Sequence, residues 1–360
     1  MSFVNKIKNL SNFPVLLAPL AGVSDSAFRL MCQLGGADLT YVEMLSAKAL
    51  VYRNSNTIKM LKRHPMEKNL GVQITASCAE DMGQAVDFVN EFSFDTIDIN
   101  MGCPVRKVVS TGCGSGVLKN IDSVYNITKE AVNRSSVPVS VKIRLGWDLS
   151  SRNYIEVSDA IEKAGASWLT VHGRTRSQNY SSPVDLDAIA QIKKNISIPV
   201  FGNGNIFSSQ DVGHMSKNTG IDGIMVSRGA LGNPWIFGEI KGYHNQVSLE
   251  EWVSFLKKHL ELHRKNYSDE KTAVLCFRKH FLWYLKGWHK AAPIKDTVTR
   301  ADSYEQLLSI IDSYAEDLAH KGFKYRASSK DFTSNKDRFL WSSKSEIPEE
   351  DYRLNLPFFS

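Results

Sequence analysis

The sequence predicts an α/β protein, a (β/α)8 TIM barrel followed by a smaller all-α helical domain, and three observations carry that expectation. Short apolar runs alternate with amphipathic segments, which implies parallel strands joined by helical crossovers. Eight such runs fall within residues 1–242 of a 360-residue chain, close to the roughly 250 residues of a closed barrel. Polar residues recur where the runs end, on the rim where a barrel displays its chemistry. Strand count alone also admits an open, doubly wound sheet.

The strands are expected at Val15 to Pro19, Leu39 to Glu43, Gly71 to Ile74, Thr96 to Asn100, Val139 to Lys142, Trp168 to His172, Val200 to Gly202 and Ile224 to Ser227. Their β-branched and aliphatic content suits strands buried on both faces. Between them, Ala79 to Glu91, Ser123 to Asn133, Asn153 to Ala164 and Asp185 to Lys194 show helical periodicity. After Gly242 the strand pattern stops. Leu249 to Arg264, Lys271 to Lys286 and Ser303 to Leu318 then read as long helices, giving a second domain over 243–321 and a tail over 322–360. The tail mixes charge with Phe332, Phe339, Trp341, Phe358 and Phe359, too apolar for a simple disordered segment, and is expected to wrap the body.

Composition narrows the class. At 42% hydrophobic residues the chain can bury a large core. Its five cysteines, with no CxxC or Cys/His spacing, argue against a disulfide framework and a structural zinc site, so no metal is expected and a reducing, cytoplasmic setting fits. The first fourteen residues lack the apolar core of a secretion signal, and no run is long enough to span a bilayer. The net charge of +6 permits a polyanionic partner without demanding one. Its distribution is more telling: residues 271–300 hold seven Lys or Arg against one Asp, a local +6. Lys279, Trp283, Lys286 and Lys290 fall at helical spacing, so cations and an aromatic are expected on one face, as phosphates and exposed bases would require. An ordinary solvated helix with Trp283 in the core is the competing reading.

The run Ile97-Asp98-Ile99-Asn100-Met101-Gly102-Cys103-Pro104 leads an apolar strand into a turn, placing a thiol at a strand end. A lone cysteine is equally at home as a small buried hydrophobe. Context favours chemistry: Gln73, Asn100, Lys142, His172, Asn203 and Arg228 lie in or just after successive strands. Lys142 ends an apolar run, either snorkelling to water or facing an electron-rich ring. Asn203-Gly204-Asn205 and Ser227-Arg228-Gly229 follow the last two strands, where barrels commonly bind phosphate with backbone amides, here aided by Arg228. The run Gly112-Cys113-Gly114-Ser115-Gly116 lacks G-x-G-x-x-G spacing and reads as a turn.

Ala18-Pro19-Leu20-Ala21-Gly22-Val23, Gly71-Val72-Gln73, Asp98 to Pro104, Val141-Lys142-Ile143-Arg144, Val171 to Arg176, Asn203-Gly204, Ser227 to Ala230, Gly232 to Phe237, Arg278-Lys279-His280 and Tyr284 to Gly287 occur in this order. The set resembles the tRNA-dihydrouridine synthases over roughly residues 14–315, nearest in pattern to the bacterial B-type branch.

The resemblance implies an FMN-dependent reductase that uses NADPH to saturate the C5–C6 bond of a D-loop uridine in tRNA, without an obligate protein partner. It implies that Pro19, Leu20 and Ala21 line the flavin, that Gln73 and Lys142 contact its ring, and that Cys103 protonates C5 after hydride reaches C6. His172, Asn203, Gly204, Asn205, Ser227 and Arg228 would complete the cofactor site, chiefly toward the phosphate. Asn100 would fix the base, while Lys107 and Arg176, and Arg278, Lys279 and Lys286 of the basic segment, would meet tRNA. Asn205 departs from the acidic residue usual after Asn-Gly, and Cys113 is unexpected in its loop; a structural thiol is the preferred reading of the latter. Two other classes remain on the sequence: a flavin barrel acting on a free pyrimidine, like dihydroorotate dehydrogenase, and a tRNA-binding protein without catalysis.

Overall fold

The computed structural model describes residues 12–327. Nine strands form one all-parallel sheet: β1 (Val15–Leu17), β2 (Thr40–Tyr41), β3 (Leu45–Ser46), β4 (Leu70–Thr75), β5 (Thr96–Met101), β6 (Val139–Arg144), β7 (Trp168–His172), β8 (Val200–Asn203) and β9 (Gly223–Val226). The order is β1-β9-β8-β7-β6-β5-β4-β2, with β3 also paired to β4. A parallel bridge between Leu16 and Leu39, with Leu17 N–H donating to Leu39 C=O at 2.9 Å, brings the two ends together. The sheet is therefore a barrel, and β2 and β3 are two pieces of its second strand.

That break departs from the continuous strand expected over Leu39 to Glu43. Val42 N–H still bonds the Gly71 carbonyl at 3.0 Å, but Glu43 turns away and accepts the amide of Gly22. A polar side chain drawn to a partner outside the sheet interrupts the ladder.

Side-chain alternation sorts the barrel into layers. Ile97, Ile99, Val139, Val141, Ile143, Leu169 and Val171 face the surrounding helices and form the main core with them. Those helices include α1 (Ser26–Leu34), α2 (Ala79–Val89), α3 (Ile121–Arg134), α4 (Tyr154–Lys163), α5 (Leu186–Asn195) and α6 (Ser209–Thr219). Inside the barrel, Leu16, Leu39, Tyr41, Trp168, Phe201 and Met225 make a separate apolar plug toward the strand beginnings. The opposite end is lined with polar groups.

The chain then forms α7 (Leu249–Arg264), α8 (Glu270–Tyr284), α9 (Ala291–Arg300) and α10 (Tyr304–His320) around a second core that includes Trp252, Leu256, Phe277, Phe281 and Trp288. The two cores interlock, because Trp235 belongs to the helical cluster and Trp283 to the barrel cluster. Gly232 permits this approach: its φ is +67°, and a Cβ there would fall 2.2 Å from the Trp283 backbone.

This segment holds one helix that was not expected and one expectation that needs correction. Helix α9 was not legible as periodicity; it starts after Lys290, whose φ is +47°, and carries Pro293 in its first turn, where a missing N–H costs nothing. Helix α8 ends at Tyr284, so Lys286 and Lys290 lie beyond it and do not share a face with Lys279 and Trp283. Trp283 is only 6% exposed, as the competing reading held. After α10 the chain returns beside the start of α7, with Leu249 N–H on Lys324 C=O at 2.9 Å and Arg326 N–H on Val247 C=O at 3.0 Å. The tail aromatics singled out above lie outside the described residues.

Asp25 joins the two parts. One carboxylate oxygen caps α1 through Phe28 N–H at 2.8 Å, and the other pairs with His263 Nδ1 of α7 at 2.8 Å. His263 holds the Asp25 carboxyl far below its usual range against the opposing effect of burial, the largest single influence. Asp25→Ala should lower stability by about 2–4 kcal/mol, combining a lost cap with a buried imidazole left without its acceptor. An unchanged urea midpoint would contradict this.

Candidate active site

Strands β5 and β6 pair with Asn100 opposite Lys142, and period two then places Asp98 and Asn100, with Ser140, Lys142 and Arg144, on the barrel's inner side. These groups bond as a chain. Ser140 Oγ donates to Asp98 Oδ1 at 2.5 Å, Gln73 Nε2 donates to Asp98 Oδ2 at 2.7 Å, and Asn100 Nδ2 donates to Gln73 Oε1 at 2.8 Å. Asn100 Oδ1 accepts the amides of Gly102 and Cys103 at 3.1 and 2.9 Å. The Asn100 amide oxygen thus holds the turn that carries Cys103, while its nitrogen anchors the side chain to Gln73.

Other contacts fix the same turn. The Cys103 carbonyl accepts from Ser115 N–H and Oγ at 3.1 and 2.8 Å, which explains the glycine-rich run as a short 3-10 helix, Gly114–Lys119, folded against the thiol loop. Arg144 Nε donates to Gly102 C=O at 3.0 Å and Nη1 to Thr175 C=O at 2.7 Å, tying the loops after β5 and β7. Cys113 is a free, half-buried thiol, as is Cys103.

Burial dominates the electrostatics. It pushes the Cys103 thiol up, opposed by the Val105 amide and by Arg144 and Lys142, so the sulfur keeps its proton at neutral pH. It pulls Lys142 down to about 8; Arg144 adds to the shift while Asp98 and Cys103 oppose it. Asp98 is pushed up to about 6 by burial despite Ser140, Gln73 and Lys142. Burial and then Arg144, Lys142, Arg174 and Arg228 drive His172 well below its ordinary value. His172 is therefore neutral among four cations.

A cleft beside this network is lined by His172, Asn203, Gly204, Asn205, Ser227 and Arg228, with Tyr180 and Phe207 at its edge. Among the described residues, no carboxylate lines it. Asn203 Nδ2 donates to Met225 C=O at 2.7 Å and Ser227 Oγ at 3.1 Å, joining the ends of β8 and β9. Gly204 has φ +123°, and a Cβ there would lie 3.0 Å from His172 Cδ2, so the backbone passes close to the ring. Arg228 donates to Asn205 Oδ1 at 3.3 Å and lies 4.4 Å over the Tyr180 ring.

The structure thus gathers Gln73, Asn100, Cys103 and Lys142 at one mouth and the six predicted phosphate-side residues at its neighbour. Pro19, Leu20 and Ala21 follow β1 on the same rim, and Ala18 N–H bonds Val226 C=O at 2.8 Å. Lys107 is exposed on the short helix Arg106–Val109, whose Val108 is buried. Arg176 stacks 4.5 Å over Trp147, whose ring also carries Lys119 at 3.4 Å. The remaining three predicted cations lie in the helical part: Arg278 binds the Ala301 carbonyl, Lys279 binds the Gly22 carbonyl, and Lys286 is half-buried and pulled down to about 7, by desolvation first and then by Arg326, Lys295 and Arg228.

Four site groups had no role in the sequence reading: Asp98, Arg144, Arg174 and Glu43. Asp98 and Arg144 carried a usable signal, being two residues from Asn100 and Lys142 on the same strand faces. Arg174 lies in a loop yet is wholly buried, donating to the Tyr180 and Ser182 carbonyls; periodicity says nothing there.

Arg174 Nη1 lies 3.0 Å from His172 Nε2. A guanidinium can only donate, so Nε2 accepts and the ring proton sits on Nδ1. Nitrogen-15 spectra should therefore show His172 as the neutral Nδ1–H tautomer with no titration between pH ~5 and ~8. A midpoint inside that window would contradict the assignment.

The family model for dihydrouridine synthase (Dus) matches residues 16–319. A tRNA-dihydrouridine synthase B from Pasteurella multocida is 34% identical over 303 residues, covering 82% of this chain and 91% of that protein. One from Pseudomonas syringae pv. tomato is 38% identical over 298 residues, covering 81% and 88%. Among solved structures, 6-hydroxypseudooxynicotine amine oxidase from Pseudomonas geniculata N1 superimposes with TM-score 0.51 at 13% identity, over 64% of this chain and 47% of that one, a likeness of fold.

Proposed function

Because the chain belongs to the dihydrouridine synthase family, we propose that it is a flavin-dependent oxidoreductase that reduces the C5–C6 bond of a uridine in tRNA, with FMN as its flavin and NADPH as the reductant. The observation that carries this reading is a Cys103 thiol, pushed up by burial and held on the turn after β5 near Lys142 and Arg144, with a cleft bearing Arg228 at the ends of the neighbouring strands. Relatives bearing the synthase name supply the substrate class. The basic surface of the helical part supports it, with Lys271, Lys290, Lys295 and Arg300 exposed.

The residues fit a flavin mononucleotide. Gly204, Asn205, Ser227 and Arg228 would hold the phosphate, Arg228 bringing positive charge to the cleft beside the neutral His172 ring. Gln73 and Lys142 would meet the ring, and Pro19, Leu20 and Ala21 would pack along it. When bound, the flavin supplies the hydride.

The protein's own part is proton delivery and positioning. Cys103 gives its proton to C5 of the base, and burial suits it by keeping the thiol from ionising beforehand. Asn100 and Arg144 hold the sulfur's turn through backbone contacts, so their contribution is geometric. Lys142 offers positive charge to a site that must accommodate electrons. Both uracil carbons are shielded in a stacked loop, so the nucleotide is extruded into the mouth, and Lys107, Arg176 and the Trp147 stack would lie beside its phosphates.

In single-turnover reoxidation of the reduced enzyme by unmodified tRNA, Cys103→Ala should slow the reaction about a hundredfold or more while flavin content stays normal. Unchanged reoxidation would remove Cys103 from the chemistry. Lys142 has its pKa lowered by burial, so its charge is lost as pH rises; the reoxidation rate should fall as pH climbs through about 8. That limb should vanish in Lys142→Met, whose rate should already be low. A wild-type rate flat from pH 7 to 9.5 would contradict the role.

A further inference from the structure

The helical part meets the barrel through polar side chains that converge on one short stretch. His263 of α7 pairs with Asp25, Asn266 Oδ1 accepts from Ser26 Oγ at 3.0 Å, and Lys279 Nζ of α8 donates to the Gly22 carbonyl. All three land within residues 22–26, directly after Pro19-Leu20-Ala21. Gly22 is held from both sides, since its N–H donates to Glu43 Oε2 from the break between β2 and β3. Its φ is +69°, and a Cβ would meet nothing within 4 Å, so conformation and not crowding requires glycine.

The rest of the turn is closed on itself. Leu20 N–H donates to Ser24 Oγ at 2.9 Å, while Val23 and Ser24 N–H both donate to Leu20 C=O at 3.0 Å. Arg29 Nη1 takes the Ser24 carbonyl at 2.9 Å. A displacement of Gly22 therefore moves Leu20 and Ala21 with it. Lys279 and Glu43 hold the two sides of one residue; burial pushes the Glu43 carboxyl up to about 7, opposed by the Gly22 amide and by Lys279, so its negative charge is held only in part at neutral pH and Lys279 favours it.

We infer that Lys279 is a positioning residue for the flavin-binding turn, acting with Glu43 through Gly22, and is not a contact for tRNA. The inference rests on the proposed function for the identity of the ligand. It makes the helical part a component of the cofactor site as well as a platform for nucleic acid.

Lys279→Met, Lys279→Arg and Glu43→Gln test it. Lys279→Met should weaken FMN binding about tenfold, the loss of one charge-assisted bond, and shift the visible spectrum of bound flavin, with the tRNA KM changed by less than about twofold. Lys279→Arg, which keeps charge and donors, should recover much of the affinity. Glu43→Gln keeps an acceptor for Gly22 but removes the negative charge that Glu43 holds in part at neutral pH, so it should weaken FMN binding in smaller measure, again sparing the tRNA KM. Hydrogen exchange at the amides of residues 19–24 should quicken in flavin-free Lys279→Met. A raised tRNA KM with unchanged FMN affinity would overturn the inference, as would no change in either. If the wild-type chain bound no flavin or left tRNA unreduced, the functional reading would fail, while the exchange rates would still decide whether Lys279 holds the turn. Glu43→Gln decides the question even if Lys279→Met does not fold.

Discussion

Everything at the mouth of this barrel depends on the alternation of side chains along β5 and β6. Ile97, Ile99, Val141 and Ile143 sit in the helix-facing core, while the residues between them turn Asp98, Asn100, Ser140, Lys142 and Arg144 inward. A slip of one residue in either strand would exchange the two sets, burying a lysine and an arginine among aliphatic side chains and emptying the site. The large apolar core thus fixes the register that the chemistry requires.

Within that register, burial both helps and threatens. It keeps Cys103 protonated, which a proton donor needs, yet it pulls Lys142 toward neutrality and Asp98 toward protonation. Asp98 and Lys142 offset each other in part, and Asp98 is further held by Ser140 and Gln73. The result is a polar interior whose members are mutually bonded, the condition under which such a network specifies one geometry. Asn100 extends the network to the thiol turn, and Arg144 ties that turn to the loop after β7.

Much of this was legible in the sequence, because strands buried on both faces leave short, strongly apolar runs and because rim residues fall at their ends. The run from Thr96 to Cys103 gave strand, turn and thiol together. Less legible was anything set by contacts between distant segments. Glu43 breaks its strand to reach Gly22, which no local pattern announces. Lys286 and Lys290 sit at helical spacing from Lys279, but the helix stops at Tyr284. Arg278 and Lys279 read as surface cations and are spent on the carbonyls of Ala301 and Gly22. Spacing gives the periodicity of a helix; it does not say where the helix ends or which side chain finds a carbonyl.

Reduction of uridine within tRNA, and not of a free pyrimidine, is what this barrel is proposed to carry out. Purified protein with FMN and NADPH should be incubated with unmodified tRNA, and separately with free uridine and orotate, followed by nuclease digestion and mass spectrometry. A D-loop uridine of the tRNA should gain two hydrogen atoms, with no change in the free pyrimidines. Reduction of a free pyrimidine with every tRNA left unaltered would contradict it.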